Sequence, residues 1–450
     1  MGARCIKDTA VNVLLIAIDT LRADHLGVYG YRRKTSPNID AFASKAAVFE
    51  RAFATAIPTH PAFATICSGQ YSITHTIVAH AAKSPVPRTT PWLPEILQRH
   101  GYTTCALDNL APWRYGFGRG YEFYIDPTSR RNLAINCDNR EINRRAIPWL
   151  EQHAHEKFFM FIHYWDPHTP YLPPRAYRTL FYKGNPYQPD NHAMDHFTDH
   201  PLGKTWSETW FKKLPPHITD PEYLVALYDA EIRYCDEGIR TLLDTLEASG
   251  KAEETLVILL SDHGEMMYKH GIFFDHHGLY DGNIHIPWIV SHPSISPRRI
   301  PHLAEHVDVA PTILDLCGVP VPPEMEGKSW APFLLGKGEP VQRDFIVSQE
   351  CTWQMKWCIR TDNHKLILAR EPDFYNTPMK ELYDLQADPE ELHNIAEQEP
   401  ERVRFLENKL EEWIAAMMKK NNLTQDPLVA HGLTLGMQWK EARAQSERRD

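Results

Sequence analysis

LLSDHGEMMYKHGIFFDHHGLYDGNIHIP, Leu259 to Pro287, is the stretch from which the rest of the chain can be read. An apolar run, Leu256 to Leu260, leads into Asp262-His263, and His270, His276 and His277 follow within a short span. A strand buried on both faces of a parallel sheet reads as such a continuous apolar run. Open α/β sheets bind their ligands just beyond the carboxyl ends of the strands, and carboxylates with imidazoles are ligands that divalent cations take. The stretch therefore predicts a strand-end metal site and asks which distant residues complete it.

The same pattern recurs upstream. Val13 to Ile18 ends in Asp19-Thr20, and Phe158 to Tyr164 runs into Trp165-Asp166-Pro167-His168. One acid at a strand end is ordinary; three, with the His276-His277 pair, predict convergence at one edge of a sheet. Thr103 to Leu107 reads as a further strand. The turn Pro58-Thr59-His60-Pro61 precedes apolar Ala62 to Cys67 and a Ser68-Gly69 stop, which predicts a short helix. Thr59 would lie near its N-terminus, where free amides and the dipole favour an anion.

Helices are predicted over Asn38 to Ala47, Pro94 to His100, His306 to Leu316 and Glu401 to Met418. A long one should start at Asp220-Pro221, carry Leu224, Leu227, Ile232, Ile239 and Leu246 on its apolar face, and end at Gly250. Asp344 to Ser348 is expected as the last strand of the large sheet, and Trp357 to Arg360, Lys365 to Leu368 and Glu381 to Leu385 as a small antiparallel unit. Residues 172–219, rich in proline, histidine and aromatics, read as an irregular insertion near the pocket, and the segment after Lys419 as a polar tail. The expected fold class is α/β: an α/β/α sandwich around a large mixed, mostly parallel sheet over residues 1–349, then a small C-terminal α+β subdomain over residues 350–450.

With 450 residues the chain can bury an ample core. A net charge of -10 and a pI near 6.2 argue against nucleic acid and anionic membrane as partners and for a small molecule. Eight scattered cysteines without a CxxC pair predict free thiols and a reducing compartment. The first apolar run is too short to span a membrane and is followed by LRADH rather than a small-residue cleavage site. MGARCI also lacks the serine or threonine of a myristoylation signal. A cytoplasmic location is the expectation; a homo-oligomer is compatible with all of this.

At these motifs the sequence resembles the sulfatase branch of the alkaline phosphatase superfamily. The matching segments are IAIDTLRADHLGVYGY from Ile16, ATAIPTHPAFATICSGQY from Ala54, WDPHTPY from Trp165, LLSDHGE from Leu259, HHGLYDGNIHIP from His276, EHVDVAPTILDLCGVPVP from Glu305 and ELYDLQADPEELHNIA from Glu381. One departure carries weight. Sulfatases of this kind convert to formylglycine the cysteine of a Cys-x-Pro-x-Arg element placed a fixed distance before a Gly-x-Tyr element. Matching that glycine to Gly69 puts Thr59 at the cysteine, Pro61 at the proline and Phe63 at the arginine. No formylglycine is expected.

A threonine there is similar to the superfamily's phosphodiesterases and phosphonate monoester hydrolases. The resemblance implies a divalent metal (Zn, Mn or Ca) held by Asp19, Thr59, Asp262 and His263, with Thr59 as nucleophile and His168 and His277 on the leaving-group side. Asp166, His168, His277 and His80, the last at the family's asparagine, would hold a second metal or support the site without one. Adjacent His276 and His277 point opposite ways if extended; His277 is preferred because it precedes GLYDG, where the family has a lysine or histidine. His270 and His285, and the insertion's His192, His196, His200 and His217, read as surface or supporting residues. The expected function is hydrolysis of phosphate diesters or phosphonate monoesters through a phospho-threonine. The rivals are a sulfatase working without formylglycine, a transferase, and a non-catalytic binder on a decayed fold.

Overall fold

The computed structural model describes residues 11–80, 84–128, 137–373 and 375–436. The strands are β1 (Asn12–Ile18), β2 (Ala47–Phe53), β3 (Ala56–Ile57), β4 (Thr103–Leu107), β5 (Phe123–Ile125), β6 (Phe158–Tyr164), β7 (Thr255–Leu260), β8 (His285–Ser291), β9 (Arg298–Glu305), β10 (Ile346–Glu350), β11 (Lys356–Arg360), β12 (His364–Ala369) and β13 (Lys380–Asp384). Eight form one mixed sheet in the order β5-β4-β6-β1-β7-β8-β2-β9. From β5 to β7 every pairing is parallel, whereas β8 runs antiparallel to both β7 and β2.

Period-two alternation explains the layers. Val13, Leu15 and Ala17 of β1 enter the core under the helices α1 (Thr59–Ser68) and α4 (Val309–Leu316), through Phe63, Ile66 and Ile313. Leu14, Ile16 and Ile18 enter the opposite core under α2 (Asn139–His153) and α3 (Pro221–Ala248), through Ile142, Leu150, Leu227 and Ile239. Because β1 is buried on both faces, each of its large aliphatic side chains contributes about 1.5–3 kcal/mol from lost water contact. Ile16→Ala would cost about 2–5 kcal/mol through the cavity it leaves.

The long helix forms where its caps predict. The Asp220 side chain accepts from the Glu222 amide, Pro221 occupies the first turn, and Gly250, at φ +73°, turns the chain away at the end. Within 172–219 the chain is less irregular than expected: Asp195–Asp199 and Pro201–Glu208 are helical, and Trp210–Lys213 is a 3-10 turn.

A second sheet, in the order β13-β12-β11-β10-β3, corrects one expectation: β10 belongs to it and not to the large sheet. The large sheet already ends at β9, and β10 pairs antiparallel with β11 over Ile346 to Glu350. A division of the chain at 349/350 thus passes through β10. Its other edge takes β3 in parallel, Ala56 opposite Gln349 and Ile57 opposite Glu350. The C-terminal helix α5 (Pro400–Lys420) packs Leu406, Leu410 and Ile414 on Trp357, Leu366 and Leu368 of this sheet. The seven described cysteines are free, and Cys5 and the tail beyond 436 lie outside the described residues. Among the described residues no helix is long and apolar enough to cross a membrane.

Candidate active site

Four adjacent parallel strands, β4, β6, β1 and β7, present their carboxyl ends along one edge. Ala106, Phe161, Ala17 and Leu260 all face the α1 side of the sheet. Two residues on from each stand Asp108, His163, Asp19 and Asp262, so alternation delivers all four polar groups to the same side. The ladder continues one step past β1, the Asp19 amide donating to the Tyr164 carbonyl at 2.9 Å. Thr20 then turns at φ +56°, a left-handed conformation that costs a non-glycine residue about 1–2 kcal/mol. Two contacts hold it there: the Tyr228 hydroxyl donates to its carbonyl at 2.7 Å, and its amide donates to Asp262 Oδ1 at 3.3 Å.

Ligand atoms of Asp19, Asp262 and His263 all lie within 4.8 Å of one another, fully buried. The His263 Nδ1–H donates to the Gly264 carbonyl at 2.8 Å, which leaves the Nε2 lone pair facing the cluster, 3.3 Å from Thr59 Oγ1. Thr59 opens α1 immediately after β3, so the second sheet anchors the turn that carries it. Asp19 Oδ1 and Asp262 Oδ2 are buried without a hydrogen-bond partner among the described residues, with only the His263 Nε2 lone pair near them, 3.8 and 3.3 Å away. Burial, and then the charge of Asp19, pushes the Asp262 carboxyl well above its usual range. Burial also drives His263 down to about 3, a neutral imidazole. Two orphaned carboxylate oxygens beside a free imidazole nitrogen fit a divalent cation, which would satisfy both and relieve their repulsion.

Two participants escaped the sequence reading. His163 Nε2 lies 3.1 Å from Asp19 Oδ2, and its Nδ1 lies 2.9 Å from Asp108 Oδ1. Burial opposes its charge, but the hydrogen bonds to Asp108 and Asp19 prevail and push His163 up to about 10. For Asp19, burial is likewise outweighed by the His163 hydrogen bond and the fields of His168, His163 and His263, so its pKa falls well below the carboxylate range. Phe63, at the family's arginine position, lies edge-on to His163 at 4.7 Å. A lone histidine inside the apolar run FFMFIHY, and an aspartate directly after β4, were the available signals.

Across the cleft the structure departs from expectation. His276, rather than His277, lines the cavity with Thr59, His60, His80 and His168. Its ring lies 5.1 Å from those of both His168 and His263. His277 is buried behind it, its Nε2 2.9 Å from Asp275 Oδ2 and its ring 4.9 Å from Trp353. The Gly278 amide, donating to Glu350 Oε2 at 2.8 Å, fixes the backbone that orients the pair. Glu265, Asp275 and His276 form a second cluster within 4.8 Å, in which both Glu265 oxygens lack a hydrogen-bond partner among the described residues. Burial drives the Glu265 carboxyl well above its usual range.

Asp166 does not join either cluster. Its Oδ2 accepts from the Asn139 amide at 3.0 Å and from Asn139 Nδ2 at 3.2 Å, at the start of α2, where a carboxyl oxygen satisfies a free helix amide. Burial raises it to about 7. The His168 Nδ1–H donates to the Thr169 carbonyl at 2.7 Å, which leaves Nε2 available. His80 stacks on His60 at 4.3 Å, and burial, then the charge of His276, lowers it to about 3. Arg22 braces the loop, pairing with Asp24 and donating to the Glu265 carbonyl at 2.9 Å.

A family model described as Sulfatase matches residues 11–319, and one described as N-sulphoglucosamine sulphohydrolase, C-terminal, matches residues 269–420. The chain belongs to the sulfatase family. It is 24% identical over 423 residues to a Delta 4,5-hexuronate-2-O-sulfatase of Bacteroides thetaiotaomicron, covering 88% of this chain and 86% of that protein. To Arylsulfatase K of Gallus gallus it is 25% identical over 456 residues, covering 89% and 81%. The fold matches the phosphonate monoester hydrolase of Agrobacterium radiobacter with a TM-score of 0.72, at 21% identity and covering 90% and 96% of the two chains. The large sheet with a second, C-terminal sheet is the sulfatase fold, and the family is one of ester hydrolases.

Proposed function

We propose that this family member hydrolyses phosphate diesters or phosphonate monoesters with Thr59 as nucleophile. The observation that carries the reading is the Thr59 hydroxyl, 3.3 Å from His263 Nε2 beside the orphaned carboxylates, where the family's formylglycine cysteine is absent. Asp19, Asp262, His263 and Thr59 would hold the cation. When bound, it would lower the pKa of the hydroxyl and shield charge on the non-bridging oxygens. Thr59 Oγ, ionised, forms the bond to phosphorus as the P–O bond to the alcohol breaks in line. His168 or His276 delivers a proton to the departing oxygen and then takes one from the water that cleaves the phospho-threonine. With Phe63 at the arginine position, no guanidinium there favours a dianionic monoester over a monoanionic ester.

A second reading, a sulfuric ester hydrolase without formylglycine, is favoured by the relatives named as sulfatases and by the single charge of a sulfate ester. Against it stands the chemistry of a sulfo-threonine, which water must cleave at sulfur without the elimination route that an aldehyde hydrate offers. The orphaned Glu265, with Asp275 and His276, favours a second cation on the leaving side over the set Asp166, His168, His277 and His80. The free thiols support a reducing, cytoplasmic setting.

The test is elemental analysis of purified protein together with rates on an aryl sulfate, a phosphate monoester, a phosphate diester and a phosphonate monoester. Diester or phosphonate turnover at least tenfold above the others, with a phosphorylated Thr59 peptide trapped from a slow substrate, is expected. Sulfate preference, or monoester turnover well above diester, would overturn the reading.

A further inference from the structure

Five of the chain's twelve tryptophans line one cavity of about 170 Å³: Trp113, Trp165, Trp206, Trp210 and Trp353. The cavity has Thr59, His168 and His276 in its wall, so it opens directly from the reacting centre. Four of the rings form a continuous rim through His168. Trp165 lies 5.4 Å from His168, His168 6.1 Å from Trp210, Trp210 6.2 Å from Trp206, and Trp206 5.8 Å from Trp353. Trp206 stands at 75° to Trp210 and 84° to Trp353, which gives walls at right angles rather than a flat patch.

Its charge inventory is equally telling. Among the described residues no lysine or arginine lines the cavity, and the one carboxylate there, Asp275, lies 2.9 Å from His277 Nε2 and accepts from the His276 amide at 2.8 Å. Trp165 is 8% exposed and its buried Nε1–H has no hydrogen-bond partner among the described residues. Aromatic walls with a few placed polar groups are the makings of a small-molecule site, and ring pairs gain about 0.5–1.5 kcal/mol beyond burial. Among the described residues, a carboxylate or a second ester anion entering this cavity would meet no guanidinium or ammonium to pair with it, only the imidazoles that line the reacting end.

We infer that this cavity is the leaving-group subsite and that it takes an uncharged aryl alcohol rather than an anionic sugar. The inference rests on the ester-hydrolase reading above but not on whether phosphorus or sulfur is attacked. Trp206 and Trp210 supply the stacking faces, and Trp165 Nε1–H a hydrogen bond to a ring substituent.

The test uses matched phosphonate and sulfate ester series on the full chain, with phenyl, carboxyphenyl, trimethylammoniophenyl, hexuronate and methyl leaving groups. In whichever series turns over, the phenyl ester should exceed the carboxyphenyl and hexuronate esters by at least tenfold in kcat/KM. Trp206→Ala and Trp210→Ala should each lower kcat/KM for the phenyl ester at least fivefold more than for the methyl ester, and Trp206→Phe should restore most of the loss. If neither series turns over, the hydrolase reading fails. The subsite is then judged by tryptophan fluorescence, with phenol expected to bind at least tenfold tighter than glucuronate. A hexuronate, carboxyphenyl or trimethylammoniophenyl ester equal to or better than phenyl, equal losses on phenyl and methyl esters in the tryptophan variants, or glucuronate binding as tightly as phenol would overturn the inference.

Discussion

The two walls of the cleft are built differently. On one, Asp108, His163, Asp19 and Asp262 lie at or just past the ends of four neighbouring parallel strands, and the register of the sheet sets their spacing. On the other, His168, His276 and the tryptophans sit on loops and short helices, placed by contacts with the second sheet and the 172–219 segment. On the proposed function, the first wall would place charge where a cation and a nucleophile need it, and the second would shape what leaves. A sheet edge tolerates little variation in position, whereas loops can be rebuilt without disturbing the core.

The largest expected effect lies on the strand-edge wall. Thr59→Ala should lower kcat by at least about 10⁴-fold, as losing an attacking nucleophile does, while circular dichroism stays that of the parent. Residual turnover within a hundredfold of the parent would end the case for Thr59.

The loop wall is sharpened by a pair of variants. His276→Ala should cost about 10²–10⁴-fold in kcat, the usual worth of a positioned proton donor, and His277→Ala less than tenfold, because it sits behind Asp275. The reverse order would return the role to His277.

Next in size comes the support beneath Asp19. Asp108→Asn removes the carboxylate that holds His163 and should weaken metal binding about 10–100-fold, in line with other residues that orient a metal ligand. Calorimetric titration of the metal-free protein measures this, and unchanged affinity would disconnect His163 from the site.

The smallest effect concerns Asp166. Burial raises its pKa from 3.8 to about 7, so folding favours the protonated form. Its contribution is complete below about pH 3.8 and is lost as pH rises through about 7, with a slope of at most about 1.4 kcal/mol for each step of one in pH. Asp166→Asn should therefore flatten the fall in Tm between pH 5 and 8 and change kcat less than threefold. A parallel fall in both proteins would mean that Asp166 titrates normally.

Much of the strand-edge wall was legible because apolar runs ending in acids are local signals. Asp19, Asp262 and His263 stand at the ends of runs too hydrophobic to be anything but buried strands. Thr59 was reachable only through its distance from Gly69. The loop wall was less legible. His276 and His277 are neighbours, and which of them faces the cleft depends on Asp275 and Glu350, the latter far along the chain. Asp166 looked like a partner of His168 but serves the first turn of α2. His163 read as one more member of an apolar strand until Asp108 and Asp19 appeared on either side of it.

The sequence by itself determined the α/β class, the strand-end acids and the threonine where a cysteine would otherwise stand, because periodicity and residue type act over a few positions. Only the tertiary structure decided that β10 leaves the large sheet to hold β3, that His276 rather than His277 enters the cleft, and that five tryptophans meet there. Those outcomes depend on pairings and hydrogen bonds between residues far apart in the chain, which no local pattern encodes.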